Sequence, residues 1–128
     1  LSTVESLLDT TGRSVRLDSE NDIDASTGIS GSGPAYVFYF MQSMLEAALD
    51  MGFSDYDSKV LVSTTFEGAI ELFKRNKLTP EKWMDKVASE GGTTRAALDS
   101  MEDNNVKDLI KEAAYAAFNR AVELGKES

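Results

Sequence analysis

The chain has 128 residues, 41% of them hydrophobic and 27% charged, with a net charge of −9 and a pI near 4.4. This acidity argues against nucleic acid or an anionic membrane surface as a partner, because both require clustered Lys and Arg. The sequence contains no cysteine and no histidine, which excludes disulfides, thiolate and imidazole catalysis and the usual zinc ligands, so no metal site is predicted.

The first 20 residues differ in pattern from the rest of the chain. Residues 1–9 place apolar side chains at helical spacing and predict the end of a helix, which Gly12 terminates. Ser14–Leu17 then alternates like a short strand. Because one strand cannot satisfy its own ladder, we expect its partner to lie in a sheet outside this chain. Residues 1–20 are therefore predicted to be the tail of a preceding domain, and residues 21–128 a separate helical domain.

The rest of the chain has helical periodicity. Asp22–Ala25 predicts a short helical turn, and a glycine-rich loop over residues 28–33 follows. Pro34 then stands at a typical first helical position. The segment Pro34–Met51, ended by Gly52, is apolar around most of its circumference. This pattern predicts a helix that is buried on most sides, either centrally or in a subunit interface, and the polar residues within it argue against a membrane span.

Further helices are predicted downstream. One runs from Asp55 to Asn76, and its predicted inner face consists of Val60, Leu61, Thr64, Thr65, Gly68, Ala69 and Leu72. Gly68 within it costs about 1 kcal/mol against alanine, so we expect close approach of another helix there. The next begins with Thr79 as cap and Pro80 at the first position. The last two predicted helices are Thr94–Glu102 and Asn105–Leu124, with Gly125 as terminator. The aromatic residues at helical spacing are predicted to be core: Phe66, Phe73, Trp83 and Phe118.

Two glycine-rich segments carry the motifs of this chain. Gly28–Pro34 is not a P-loop, which ends in Gly-Lys-Ser/Thr, nor a dinucleotide fingerprint, which needs a small residue where Tyr36 stands. It is either a tight linker into a buried helix or a close approach of backbone to a ligand. Ser89–Thr94 bends at two glycines and places Thr93 and Thr94 as helix caps, where free N–H groups suit a carboxylate. A simple helix-to-helix turn is the alternative.

Together these segments resemble one known family. Thr27–Tyr36, followed downstream by Ser89-x-Gly91-Gly92-Thr93-Thr94, is similar to the C-terminal half of pyrroline-5-carboxylate reductase, and the likeness extends over essentially the whole chain. The resemblance implies an all-α dimerisation domain of about five to six helices. Residues 1–20 would then be a strand-containing remnant of an N-terminal α/β dinucleotide-binding domain.

The resemblance also implies a function, the last step of proline biosynthesis in the cytoplasm. In it 1-pyrroline-5-carboxylate is reduced to L-proline with NADP or NAD as cofactor, by a homodimer or a higher oligomer. The N-terminal domain holds most of the cofactor, so this chain alone is expected to be inactive. The substrate positions are Ser89, Gly91, Gly92, Thr93 and Thr94, with Thr94 as the expected catalytic residue. The positions near the cofactor are Thr27, Ser30, Gly31, Gly33, Pro34 and Ala35.

One residue departs from the family pattern. Glu90 stands where the family usually has proline. The glutamate places a charge beside the anion site, and the absence of proline raises the entropic cost of ordering the loop by about 0.4–1 kcal/mol. Two other interpretations stay open. One is a helical domain of a related imine or hydroxyacid dehydrogenase, although no lysine sits beside the glycine loops as the hydroxyacid enzymes require. The other is a non-catalytic helical dimerisation module, which would have no nucleotide fingerprint upstream.

Overall fold

The structure is a computed structural model that describes residues 4–8, 13–17 and 19–127. Within these residues two strands precede six α-helices, and a π-helical turn, Thr27–Gly31, joins the first helix to the second. The predicted fold class, an all-α domain after a short strand-containing segment, is confirmed. The elements are β1 Val4–Leu8, β2 Arg13–Leu17, α1 Glu20–Ser26, α2 Gly33–Asp50, α3 Asp55–Arg75, α4 Pro80–Ala88, α5 Gly92–Asp103 and α6 Val106–Glu127.

The N-terminal hairpin corrects the prediction for residues 1–9. β1 is a strand, paired antiparallel with β2 so that Val4 lies opposite Leu17. A few apolar residues in so short a segment fit either period, and backbone pairing with the next strand decides the outcome. The strand predicted at residues 14–17 is confirmed, but its partner lies within the chain. Gly12, the predicted terminator, lies outside the described residues.

The predicted helices are confirmed, with corrections at their ends. Side-chain oxygens of Ser19, Ser54 and Thr79 accept N–H groups of the first turns of α1, α3 and α4 at 3.1–3.2 Å, so the cap predicted at Thr79 is confirmed. Gly52 has φ 103° and ends α2 as predicted, because this left-handed conformation favours glycine. The terminator predicted at Gly125 is wrong, since α6 continues through it without a positive φ.

The described residues form two compact units. One comprises the described residues up to Val37 together with those from Lys107 onward. In this unit the π-helical turn packs so closely on α6 that a Cβ on Gly28 would lie 2.7 Å from Ala114 O and 3.3 Å from Phe118 Cβ. Gly28 is buried, and only glycine fits this contact.

The second unit is Phe38–Val106. Its buried side chains are Ser58 and Val62, one helical turn apart on α3, and the Phe40 ring meets Phe66 edge-on at 5.7 Å. The inner face predicted for α3 is wrong for a single chain, because the helix buries the neighbouring face. Three apolar members of the predicted face are exposed: Val60, Leu61 and Leu72.

Much of the apolar surface of this second unit is open to solvent in a single chain. No residue of α2 is buried, and Phe38 and Tyr39 are 66% and 80% exposed. The prediction that α2 is buried is therefore wrong for one chain, and of the two alternatives a subunit interface is favoured over a central position. Of the four aromatic residues predicted to be core, Phe73 is 51% exposed and the others are half-buried: Phe66, Trp83 and Phe118.

Candidate functional site

The junction between α4 and α5 carries the predicted anion site, residues 89–94. Ser89 follows α4 with helical backbone angles, and its hydroxyl donates to Lys86 O at 2.8 Å. The Glu90 N–H donates to Val87 O at 3.3 Å. These bonds satisfy carbonyls at the end of α4. The Ser89 hydroxyl proton is thus directed into α4, and only the lone pairs of its oxygen remain for a ligand.

The same geometry bears on Glu90, the position at which the resemblance implies a proline. Ser89 has φ −68° and ψ −18°, a helical conformation that a following proline disfavours. Proline would also remove the N–H that Glu90 donates to Val87. The local backbone of this junction is therefore matched to a residue other than proline at position 90.

The N-terminus of α5 corrects the predicted caps. α5 begins at Gly92, two residues earlier than predicted, so Thr93 and Thr94 lie in its first turn and Gly91 occupies the cap position. Gly91 has no side chain to accept a hydrogen bond, and no other side chain caps this helix. The N–H groups of Gly92, Thr93 and Thr94 have no acceptor within the helix. They are therefore available to an anion.

The space around this helix start is open. A Cβ built on Gly92 meets nothing within 4 Å, and one on Gly91 meets only Thr93 Oγ1 at 3.9 Å. Neither glycine has a positive φ, and Gly91 is extended at φ −175°, so the turn between α4 and α5 does not use the left-handed conformation that favours glycine. Their lack of a side chain instead leaves room over the exposed N–H groups.

The two threonines of the first turn have different surroundings. Thr93 is exposed, whereas Thr94 is half-buried and lines an apolar groove of about 430 Å³ between α3, α4 and α5. In the described part of the chain neither hydroxyl makes a hydrogen bond, so both can bind a ligand. The other groove residues are Ala69, Ile70, Leu72, Phe73, Pro80, Trp83, Met84, Val87 and Leu98.

Charges of both signs surround this junction. Glu90 is exposed at its rim. The Arg95 guanidinium lies 3.9 Å from a carboxylate oxygen of Asp85 and 3.9 Å from one of Asp99. Lys86 lies 5.3 Å from the centre of the Trp83 ring. The charges around the start of α5 are therefore the carboxylates of Glu90, Asp85 and Asp99 and one loosely paired guanidinium.

The first glycine segment is helical, not the predicted loop. Thr27–Gly31 forms a π-helical turn closed by the Ser32 N–H donating to Thr27 O at 2.8 Å. The hydroxyls of Thr27 and Ser30 donate to carbonyls four residues earlier, at 3.1 and 3.0 Å. π-helical turns are rare and are frequent at functional sites. The exposed surface consists of small or apolar residues: Ile29, Gly31, Pro34 and Ala35.

Two further residues hold this turn in place. The Tyr36 hydroxyl donates to Gly28 O at 2.9 Å and so ties the first turn of α2 to the π-helical turn. Gly28 itself forms the close contact with α6. Sequence reasoning missed this role of Gly28, because a glycine inside a glycine-rich segment gives no sign of which helix approaches it. Gly33 is one of the predicted cofactor positions, and a Cβ added to it would meet no other atom within 4 Å, so the space beside it is open.

The described residues contain no group of three or more His, Cys, Asp or Glu side chains placed to hold a metal ion. None of the helices described is long and apolar enough to cross a bilayer. The π-helical turn belongs to the first unit and the α4–α5 junction to the second. Each candidate site therefore has its own separate geometry.

Comparison with known proteins identifies the family. The protein-family model described as pyrroline-5-carboxylate reductase dimerisation matches residues 20–124 of this chain. The pyrroline-5-carboxylate reductase of Corynebacterium melassecola is 36% identical over 98% of this chain and 46% of its own length. That of Pseudomonas aeruginosa is 37% identical over 94% of this chain and 44% of its own length. The chain thus spans less than half the length of the curated relatives it matches.

Solved structures agree with the sequence matches. The crystal structure of Plasmodium falciparum pyrroline carboxylate reductase, with NADP bound, has a TM-score of 0.80 and 36% identity, covering 84% of this chain and 41% of that one. A pyrroline-5-carboxylate reductase from Coxiella burnetii has a TM-score of 0.79 and 35% identity, covering 84% and 40%. The chain belongs to the pyrroline-5-carboxylate reductase dimerisation family.

Proposed function

We propose that this chain is the dimerisation and substrate-binding part of a reductase that converts 1-pyrroline-5-carboxylate to L-proline with NADP or NAD, the last step of proline biosynthesis. The single observation that carries the proposal is family membership over residues 20–124. The α5 N-terminus adds chemical support, because its free N–H groups and two unpaired threonine hydroxyls suit the substrate carboxylate. Residues 1–20 are then the tail of a nucleotide-binding domain, and the cytoplasm is the predicted compartment.

The part of the chain near the predicted cofactor positions fits only a neutral group. Residues 19–37 contain no Lys or Arg, so they do not fit the phosphates of a dinucleotide. The exposed small and apolar surface of the π-helical turn suits a flat neutral ring. Thr27, Ser30, Gly31, Gly33, Pro34 and Ala35 would thus line the nicotinamide end. When bound, the reduced nicotinamide supplies a hydride, and the chemistry of that transfer belongs to the cofactor.

The protein's own task is to bind and orient the substrate. The first turn of α5 would hold the carboxylate through the N–H groups of Gly92, Thr93 and Thr94, and the Thr94 hydroxyl would fix the ring against the apolar groove. The open space at Gly91 leaves room for this cradle, and Ser89 would join it by turning its hydroxyl proton from Lys86 O to the carboxylate. The reduction adds a hydride to the imine carbon and a proton to the nitrogen. The protonated imine is electrophilic without an enzymatic histidine.

Dimerisation has independent support in the exposed apolar surface. α2 carries large apolar side chains that are exposed to solvent in a single chain. Full burial of each such side chain would stabilise a dimer by about 1.5–3 kcal/mol. Gly68 has open space within 4 Å of a built Cβ, so the close helix approach expected there is not made within one chain. We propose that a second copy covers these surfaces in a homodimer, on which a higher oligomer can be built.

The experiment that tests the reductase assignment measures steady-state kinetics of the whole protein with 1-pyrroline-5-carboxylate. We expect Thr94→Ala to raise KM and to lower kcat/KM by the equivalent of about 1–3 kcal/mol, because a hydrogen bond to a charged substrate is lost. Ser100→Ala, which removes an exposed hydroxyl further along α5, is the control and should be close to wild type. Wild-type protein that does not reduce this substrate refutes the function, and an unchanged Thr94→Ala refutes the site.

A further inference from the structure

Arg95 differs from the other arginines whose side chains the structure describes. Its Nη2 lies 3.9 Å from Asp85 Oδ1 on α4, and its Nη1 lies 3.9 Å from Asp99 Oδ1 on α5. Arg75 and Arg120 each hold a glutamate oxygen at 2.9 Å. Charge-assisted hydrogen bonds have lengths of about 2.7–2.9 Å, so neither aspartate holds the Arg95 guanidinium by such a bond.

The position of Arg95 places this guanidinium near the proposed carboxylate site. Arg95 is the fourth residue of α5 and directly follows Thr94, and the Cα–Cβ bonds of a helix tilt toward its N-terminus, so its side chain starts toward the turn that begins at Gly92. Its guanidinium lies within 4 Å of both Asp85, on the preceding helix, and Asp99, one turn further along α5. The nearby cation Lys86 lies over the face of the Trp83 ring, where a cation–π interaction stabilises it.

The chemistry of the site calls for such a cation. A carboxylate held by backbone N–H groups at the start of α5 also meets the charge of Glu90. A guanidinium can offset that charge and can make two parallel hydrogen bonds with a carboxylate. Moving the Arg95 guanidinium from Asp85 and Asp99 to the substrate costs little free energy, because exposed ion pairs at such distances are weak.

We propose that Arg95 determines the specificity for carboxylated substrates, by moving its guanidinium from the two aspartates to the substrate carboxylate. This inference rests on the proposed function of the α5 N-terminus. Substrate dependence distinguishes this role from a purely structural one, since a residue that only stabilises the junction would change kcat/KM for every substrate alike. A cyclic imine without a carboxylate would gain nothing from Arg95.

The first test compares kcat/KM for 1-pyrroline-5-carboxylate and for 1-pyrroline, which lacks the carboxylate, in the whole protein. Arg95→Gln should lower the value for the carboxylated imine by about tenfold or more, while 1-pyrroline changes by less than about twofold. Arg95→Lys should restore part of the loss, because it keeps the charge without the planar fork. Arg75→Gln, the matched control, should leave both values unchanged. An equal loss on both substrates, or no loss on either, overturns the proposal.

The second test separates this inference from the reductase assignment. The backbone amide resonances of Gly92, Thr93 and Thr94 in this chain are followed during titration with L-proline and with pyrrolidine. We expect L-proline alone to shift them, with a Kd about tenfold weaker in Arg95→Gln. If the wild-type whole protein fails to reduce the imine but this pattern holds, the reductase assignment fails and the role of Arg95 stands. An equal Kd in both proteins, or no shift in the wild type, overturns it.

Discussion

Replacing Gly28 with alanine tests whether the π-helical turn is held by its contact with α6. The added Cβ would lie 2.7 Å from the carbonyl oxygen of Ala114, whereas ordinary contacts begin near 3.4 Å. Ala114 O belongs to the backbone in the middle of α6, so it cannot move without the helix. The turn and α6 must then separate by several tenths of an ångström, and such overpacking costs about 1–3 kcal/mol. For a chain of this size, a loss of this order lowers Tm by several degrees.

The assay is urea unfolding followed by circular dichroism, at one fixed protein concentration because association adds to apparent stability. Gly125→Ala is the matched control, since a Cβ there meets nothing within 4 Å and the residue is helical. It should be neutral or raise the free energy of unfolding by up to about 1 kcal/mol. Of the two variants, only Gly28→Ala is expected to lower the free energy of unfolding. A Gly28→Ala variant as stable as wild type would refute the close contact and its role in positioning the turn.

Two further predictions concern the π-helical turn and the proposed carboxylate site at the start of α5. Tyr36→Phe removes the hydrogen bond to Gly28 O and should lower the free energy of unfolding by about 1 kcal/mol. Tyr56→Phe, at an exposed position of α3, should leave it unchanged, and equal urea midpoints for the two variants would contradict this. Glu90→Gln removes a charge beside the carboxylate site and should lower KM for 1-pyrroline-5-carboxylate by about twofold to fivefold at low salt, with the difference lost near 1 M salt. A Glu90→Gln KM equal to wild type at low salt would show that Glu90 does not act on the substrate.

Helix positions were predictable from sequence because the apolar period and the caps act locally. Thr79 and Pro80 marked the start of α4, and Gly52 marked the end of α2. β1 was not predictable, because its strand conformation depends on pairing with β2 and not on its own few residues. Burial was least predictable. The periodic face of α3 that reads as inner is exposed in one chain, since sequence does not tell whether a neighbouring helix or a second copy covers it.

The candidate site followed the same division. The sequence predicted a helix start within residues 89–94, because threonines that follow glycines are typical of a helix N-terminus, and this helix start is confirmed. It put the caps at Thr93 and Thr94, whereas the helix starts at Gly92, since a helix N-terminus depends on backbone hydrogen bonds that any residue can make. The π-helical turn at residues 27–31 was also missed, because no simple residue pattern marks a five-residue hydrogen-bond step.

The proposed association with a second copy, through the exposed apolar helices, is the part of the proposed function that this chain can perform by itself. Sedimentation equilibrium of the chain over a range of concentrations is its sharpest test. We expect a species of twice the 14.0 kDa chain mass, or a multiple of that dimer mass. We also expect the unfolding midpoint to rise with protein concentration, because association stabilises the folded chain. A folded 14.0 kDa monomer whose stability does not depend on concentration would contradict it.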